Sequence, residues 1–166
     1  PKEEIQSLID RIVSRGGMVK NLHGQKNLYY QVNATYYSAL GESDEKMLLA
    51  RAIQMFMPGK PQIWYLDLFA GKNDHEAVQR AGESGHKEIN RTNLSVDQIA
   101  EGLKKDVVQK QLALIRMRNT HKAFSEGAEV TISGEESSLE IRWEYDGAYV
   151  ELHVNFEEGT YTIESN

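Results

Sequence analysis

The sequence predicts an α/β segment followed by a small all-β segment. Apolar residues recur at helical spacing in three stretches, residues 1–15, 44–57 and 104–124. A short apolar run at residues 62–66 is typical of a buried strand. After residue 127 the apolar period changes from 3.6 to 2, which is the period of a sheet with one apolar face.

The first predicted helix covers residues 1–15. Its apolar positions fall at i, i+3, i+4 and i+7, namely Ile5, Leu8, Ile9 and Ile12. Gly16 and Gly17 end it. Residues 18–28 are predicted to be a loop, and residues 31–36 a short strand or an extended segment.

The second helix, over residues 44–57, is predicted to be well buried. It has a broad apolar face made of Met47, Leu48, Leu49, Ala52, Ile53, Phe56 and Met57. Pro58 and Gly59 end it, and the strand at residues 62–66 follows almost at once. A join of this length is common between a helix and a parallel strand.

Polar side chains dominate the chain after that strand. Residues 75–81 are predicted to form a short helix, and Ser95 is a suitable N-cap for a helix from Val96. A longer helix is predicted over residues 104–124, and its apolar side suits packing on a sheet.

The last segment is predicted to be an antiparallel sheet of about four strands, with a hairpin turn at Asp146-Gly147. Its apolar face centres on four residues, Ile141, Trp143, Val150 and Leu152. We expect this face to pack toward the helix at residues 104–124. The domain boundary is placed near residue 126, with residues 1–126 in the first part and residues 127–166 in the second.

Composition excludes several classes of function. The 166 residues carry a net charge of −6, whereas a nucleic-acid binder needs a concentrated cationic face. No apolar run is long enough to cross a membrane. The absence of cysteine fits a reducing compartment, so a cytoplasmic location is expected. The five histidines show no metal-ligand spacing, and no metal is expected.

Arg91 is the strongest candidate for a functional side chain. It follows Asn90 in a polar segment, and an arginine fork can hold sugar hydroxyls or a phosphate at two points. The alternative is an exposed arginine paired with Glu88. From the residues alone, the exposed arginine paired with Glu88 is the preferred alternative.

The segments around these residues resemble a known family. AGKND at residues 70–74, followed by EINR at residues 88–91, resembles the eighth strand and following loop of sucrose phosphorylases, a branch of the α-amylase-type glycoside hydrolase family 13. YQVNATYYSALG at residues 30–41 resembles another block of that branch, after strand seven. The resemblance covers nearly the whole chain.

The resemblance implies the C-terminal portion of a (β/α)8 TIM barrel, with helix 7, strand 8 and helix 8, followed by a small antiparallel β-domain. It also implies part of a retaining phosphorylase. Such an enzyme cleaves a sucrose-like α-glucoside with inorganic phosphate and yields α-glucose 1-phosphate. Phosphate is a co-substrate, and no cofactor is expected.

The resemblance also implies roles for individual residues. The arginine that matches Arg91 helps to hold the glucosyl ring, and Asn90 beside it is expected to bind the substrate as well. Tyr30 and Gln31 match the acceptor loop, which exchanges fructose for phosphate, so residues 23–31 are expected to be mobile. From the residues alone, packing of Tyr30 on the barrel rim is the preferred alternative.

Three basic residues are expected to contact phosphate or the acceptor: Lys26, His86 and Lys87. For Lys26 the alternative is a solvated surface charge. The chain departs from the sucrose phosphorylase pattern before Tyr30 and after Arg91. These departures point to a sister specificity, such as sucrose 6-phosphate, glucosylglycerate or glucosylglycerol, and the cations favour an anionic acceptor.

The family's three catalytic carboxylates lie on barrel strands four, five and seven, and the chain has no copy of their motifs. Asp67 and Asp74 match none of these positions. No catalytic residue is therefore expected in this chain, and alone it is expected to be inactive. We also expect unpaired edges and an uncovered apolar face at residues 47–57, which would be covered by the rest of a barrel or by self-association. A non-catalytic carbohydrate-binding or interaction domain, or a structural cap, is the alternative.

Overall fold

The computed structural model describes residues 2–21 and 29–166. They form two compact units: one joins Pro1–Asp44 with Ile63–Lys104, and the other joins Glu45–Gln62 with Lys105–Asn166. The predicted domain boundary near residue 126 stays a prediction.

The helices and strands follow one another in this order: α1 (Lys2–Ser14), β1 (Met18–Asn21), β2 (Tyr29–Asn33), α2 (Tyr36–Ala39), α3 (Asp44–Phe56), α4 (Tyr65–Leu68), α5 (His75–Ala81), a 3-10 helix (Gly82–Asn90), α6 (Val96–Gly102), α7 (Asp106–Thr120), a second 3-10 helix (Lys122–Phe124), β3 (Glu129–Glu135), β4 (Ser138–Tyr145), β5 (Ala148–Asn155) and β6 (Thr160–Ser165).

The first unit begins with the predicted helix α1 and a two-stranded antiparallel sheet. Ile5 and Leu8 on the apolar side of α1 are each 59% exposed. The prediction of a loop over residues 18–28 is wrong for β1, because β1 pairs with β2 and so satisfies its backbone hydrogen bonds. Residues 22–28 lie outside the described part of the chain.

The predicted buried strand at residues 62–66 is wrong. The backbone of Trp64 is extended, but Tyr65 already begins α4, and the N–H of Leu68 donates to the Trp64 carbonyl at 3.1 Å. A strand exists only where a neighbouring backbone pairs with it, and within residues 2–21 and 29–166 no strand pairs here. Trp64 is 49% exposed, whereas Leu66, which already lies in α4, is buried.

Helices α5 and α6 confirm two further predictions. Helix α5 has the predicted bounds, and Asp74 caps it by accepting the N–H of Ala77 at 2.8 Å. Ser95 caps α6 within a capping box, in which its hydroxyl accepts the Gln98 N–H and the Gln98 side chain accepts the Ser95 N–H.

In the second unit, α3 is buried as predicted. The buried side chains of this helix include Met47, Met55 and Phe56. The expectation that the face at residues 47–57 is uncovered is therefore wrong, although Met57 itself is exposed. Gln111 of α7 is also fully buried and accepts a 2.9 Å hydrogen bond from the guanidinium of Arg51.

Strands β3, β4, β5 and β6 form an antiparallel sheet in chain order, as predicted. Asp146 and Gly147 both have positive φ, 47° and 77°, which is typical of the type I′ turn that favours hairpins. The register sets Ile141 opposite Leu152 and Trp143 opposite Val150, and all four side chains are buried. Trp143 packs against Phe124, just beyond α7, with ring centroids 5.3 Å apart. The sequence therefore placed the apolar face correctly.

Candidate functional site

The candidate site lies in the first unit, where the chain after α4 folds back beside β2. The turn at residues 70–71 makes this possible. Ala70 has a positive φ of 51°, and a Cβ on Gly71 would lie 2.4 Å from the Leu66 side chain. Only glycine permits so close an approach.

Asp74 ties the two ends of the following polar segment together. Its N–H donates to the Ile89 carbonyl at 2.8 Å, and its carboxylate accepts the Ala77 N–H at 2.8 Å and the Thr92 hydroxyl at 2.9 Å. The Ala77 N–H, followed by the Thr92 hydroxyl, lowers the pKa of the Asp74 carboxyl. Asp74 is thus an ionised anchor of the segment that carries Arg91.

The main chain around Arg91 is held from the other side by two aromatic residues. The indole N–H of Trp64 donates to the Asn90 carbonyl at 2.9 Å, and the hydroxyl of Tyr65 donates to the Thr92 carbonyl at 2.7 Å. The Asn90 amide also donates to a carbonyl, that of Ala34, at 3.3 Å.

These contacts create a pocket of about 220 Å³. Six residues line it: Gln31, Asn33, Trp64, Lys87, Asn90 and Arg91. Successive side chains of a strand point to opposite faces, so Gln31 and Asn33 of β2 share a face. The pocket therefore combines two cations, three amides and one indole.

Four of the predicted site residues meet in this pocket: Gln31, Asn90, Arg91 and Lys87. Tyr30 does not line it and is 61% exposed within this chain. Lys26 lies outside the described residues, as do all the residues of the predicted mobile loop before position 29.

Two polar groups of the pocket are buried without a hydrogen-bond partner among the described residues. They are the carbonyl oxygen of the Gln31 side chain and the amide nitrogen of Asn33. Asn33 is only 5% exposed. An unpaired buried polar group costs about 1–3 kcal/mol. A polar ligand could supply the partner that each of these two groups lacks among the described residues.

His86 does not supply the charge expected of it. Burial lowers the pKa of its imidazole, and the neighbouring charges of Lys20 and Lys87 lower it further. Its Nε2 atom is buried without a partner among the residues described. The neutral form of the His86 imidazole is therefore favoured.

Arg91 also borders a second, more open pocket of about 510 Å³, which includes Arg80, Glu88 and Asn93. The ion pair that we considered as the alternative role of Arg91 is present but long. Arg91 Nη1 lies 3.7 Å from Glu88 Oε1, and both side chains are about half exposed. A pair of this kind contributes at most about 1 kcal/mol, so it leaves the guanidinium available to a ligand.

The two aspartates near the site have structural partners. Asp67 accepts the Tyr36 N–H at 2.8 Å, and Asp74 is the anchor described above. Each of these two carboxylates thus holds part of the main chain.

Sequence reasoning missed three residues of the site. Asn33 follows Gln31 by two positions, and Lys20 lies opposite Gln31 across the sheet. The positions of Asn33 and Lys20 beside the site can be recognised only once the pairing of β1 with β2 is known. Trp64 was assigned to a buried strand, and its indole N–H was therefore not considered as a hydrogen-bond donor in the site.

The antiparallel sheet of the second unit carries another charged group that spacing along the chain did not reveal. Glu140, Glu151 and His153 place potential metal-ligating atoms within 4.8 Å of one another. Arg142 donates to Glu151 at 3.1 Å, and His153 Nδ1 lies 3.5 Å from Glu140. Arg142 and Glu151 form an ion pair across the two strands.

Comparison with known proteins identifies the family. No protein-family model matches the chain. It is 50% identical to the sucrose 6(F)-phosphate phosphorylase of Ilumatobacter coccineus over 98% of its length and 32% of that protein. It is 35% identical to the glucosylglycerol phosphorylase of Marinobacter adhaerens over 93% of its length and 33% of that protein. The chain thus spans about a third of the length of these relatives.

A solved structure extends the comparison to the fold. The crystal structure of sucrose 6F-phosphate phosphorylase from Thermoanaerobacter thermosaccharolyticum matches 99% of the chain and 33% of that structure's chain, with a TM-score of 0.92 and 37% identity. The fold is thus the C-terminal part of a TIM barrel followed by a β-domain. No described helix is both long and apolar enough to span a membrane. The chain belongs to the sucrose phosphorylase branch of glycoside hydrolase family 13, and it corresponds to the C-terminal third of those enzymes.

Proposed function

We propose that the chain is part of a retaining, glucosyl-transferring phosphorylase that cleaves an α-glucoside with inorganic phosphate to give α-glucose 1-phosphate. The observation that carries this proposal is the pocket around Arg91, Asn90, Gln31 and Lys87. The named activities of the related phosphorylases support it.

The chemistry of the pocket suits a sugar. A hydroxyl group both donates and accepts hydrogen bonds, and the pocket offers an unpaired acceptor on Gln31 and an unpaired donor on Asn33. The guanidinium of Arg91 can bind two oxygens at once. The half-exposed indole of Trp64 adds apolar surface.

In the proposed reaction, a carboxylate nucleophile displaces the acceptor from the anomeric carbon while a second carboxyl group protonates the leaving oxygen. A phosphate oxygen then attacks the same carbon, and the nucleophile leaves as a carboxylate. The two carboxyl groups lie about 5–5.5 Å apart in retaining enzymes. We assign both to the part of the enzyme outside this chain, so the chain alone is inactive.

We propose further that the acceptor is anionic. Lys87 lines the pocket, and Lys20 is close enough to lower the pKa of His86. The relative with 50% identity is named for a phosphorylated sucrose, which also supports an anionic acceptor. The proposed enzyme uses phosphate as co-substrate and no cofactor, acts in the cytoplasm, and completes its barrel with the remainder of its own chain or with another copy.

The test is to express the complete protein that contains this sequence and to assay release of glucose 1-phosphate. The panel contains sucrose, sucrose 6F-phosphate, glucosylglycerate and glucosylglycerol, each with phosphate. We expect phosphate-dependent product, with the highest kcat/KM on a negatively charged glucoside. Binding of glucosides without turnover would instead indicate a carbohydrate-binding domain, and preference for unphosphorylated sucrose would exclude the anionic acceptor.

A further inference from the structure

We propose that Trp64 and Tyr65 are positioning residues that fix the main chain on both sides of Arg91 and so present its guanidinium to the sugar. The part of this inference that concerns the sugar rests on the proposed function. The fixing of the main chain itself stands on geometry alone.

The two aromatic residues bracket Arg91 by one residue on each side. Trp64 donates its indole N–H to the carbonyl of Asn90 at 2.9 Å, and Tyr65 donates its hydroxyl to the carbonyl of Thr92 at 2.7 Å. Both distances are those of well-formed hydrogen bonds. Because Trp64 and Tyr65 are adjacent in sequence, one short segment holds both carbonyls.

The rings also fix each other. Their centroids lie 4.9 Å apart at an angle of 48°. Within this chain Trp64 is 49% exposed and Tyr65 37%. The polar end of each is nevertheless bonded to a carbonyl beside Arg91.

The side chain of Arg91 contrasts with its fixed backbone. Within the described part of the chain, the ion pair that it makes is the 3.7 Å contact with Glu88. Because the backbone of Arg91 is already fixed, less conformational freedom is lost when its guanidinium binds a ligand. Small displacements of a positioning group lower rates strongly, so the two hydrogen bonds affect catalysis through Arg91.

The first arm of the test is kinetic. Tyr65→Phe keeps the ring and removes its donor, Trp64→Phe keeps an aromatic ring of smaller size and removes the indole donor, and Arg91→Lys is the reference. In the complete protein we expect each single variant to lower kcat/KM about fivefold and the double variant about 25-fold. The loss should fall on the same parameter, kcat or KM, that Arg91→Lys changes, while Tm stays near the wild-type value. Tyr145→Phe, on β4, is the matched control and should leave activity unchanged.

The second arm needs no activity. In the 166-residue chain, NMR order parameters of the amides at positions 90–92 should fall in the double variant from about 0.85 toward 0.6. Unchanged order parameters would overturn the proposal, as would double-variant kinetics within about twofold of wild type. A wild-type complete protein that releases no glucose 1-phosphate would refute the proposed function, and the NMR arm would still decide whether these residues fix the main chain.

Discussion

Trp143 donates its indole N–H to the main-chain carbonyl of Phe56 at 2.6 Å, across 87 positions of sequence. The ring is 7% exposed and also lies under the guanidinium of Arg118, whose central carbon is 4.3 Å from the ring centroid. The side chain of Trp143 thereby contacts both the end of α3 and α7. Trp143 lies at the centre of the second unit.

The first prediction concerns this residue. Trp143→Ala should lower the free energy of unfolding of the chain by about 3–5 kcal/mol, because it leaves a cavity and an unpaired carbonyl. Urea denaturation followed by circular dichroism measures it. Tyr145→Ala, two positions along the same strand and exposed, is the control and should cost much less. A loss below about 1 kcal/mol for Trp143→Ala would contradict the packing described.

The second prediction separates function from stability at Gln31. In the complete protein, Gln31→Ala should lower kcat/KM for phosphorolysis about tenfold or more, since a hydrogen bond in the pocket is lost. The unfolding free energy should hold or rise slightly, because the variant removes a buried acceptor that has no partner in the described structure. Val32→Ala, on the other face of β2, is the control. Unchanged turnover together with unchanged phosphate affinity would refute a role for Gln31.

The third prediction tests the charge of the acceptor. Lys87→Met should lower the preference for sucrose 6F-phosphate over sucrose, measured as a ratio of kcat/KM values, by about 10- to 100-fold. The reason is the loss of a charge-assisted contact in the pocket. Lys60→Met removes an exposed lysine instead and should leave the ratio unchanged. An unaltered ratio in Lys87→Met would mean that Lys87 does not contact the acceptor.

The fourth prediction is a pH dependence from His86. Burial lowers the pKa of its imidazole in the folded chain below the ordinary value of about 6.5. The unfolded chain therefore binds this proton more tightly, so the contribution is fully present above pH 6.5 and is lost as the pH falls through the lower, folded pKa. Unfolding free energies of wild type and His86→Gln should accordingly converge in acid. Parallel curves between pH 7.5 and about pH 5 would contradict the shift.

The fifth prediction is that the purified chain does not form glucose 1-phosphate from phosphate and any glucoside of the panel. Arg91 and Gln31 can bind hydroxyl groups, but binding without a nucleophile yields no glycosyl-enzyme intermediate. An enzyme-coupled assay against a no-protein blank measures it. Product above the blank that disappears in Arg91→Ala would show that catalytic groups lie within this chain.

The elements that sequence reasoning predicted well depend on neighbours in the sequence. The four-stranded sheet pairs each strand with the next, so the alternation of apolar residues and the turn at Asp146-Gly147 contain most of the information that specifies it. The capping box of Ser95 is local in the same way.

The errors arose where distant residues decide the outcome. The apolar run at residues 62–66 has strand composition, but pairing depends on a neighbouring backbone. His86 was assigned a charge by residue type, while burial, Lys20 of β1 and the adjacent Lys87 lower the pKa of its imidazole. Whether the predicted loop at residues 23–31 is mobile stays a prediction.

By itself, the sequence determined the helices α1, α3, α5, α6 and α7, the four-stranded sheet with its buried face and the family resemblance, because periodicity, turn chemistry and motif order are properties of the linear chain. Only the tertiary structure decided which side chains share the pocket. The bond from Asn90 to Ala34 spans 56 positions, and those that bracket Arg91 span 26 and 27. No periodicity in a sequence encodes a hydrogen bond between a side chain and a carbonyl so far away.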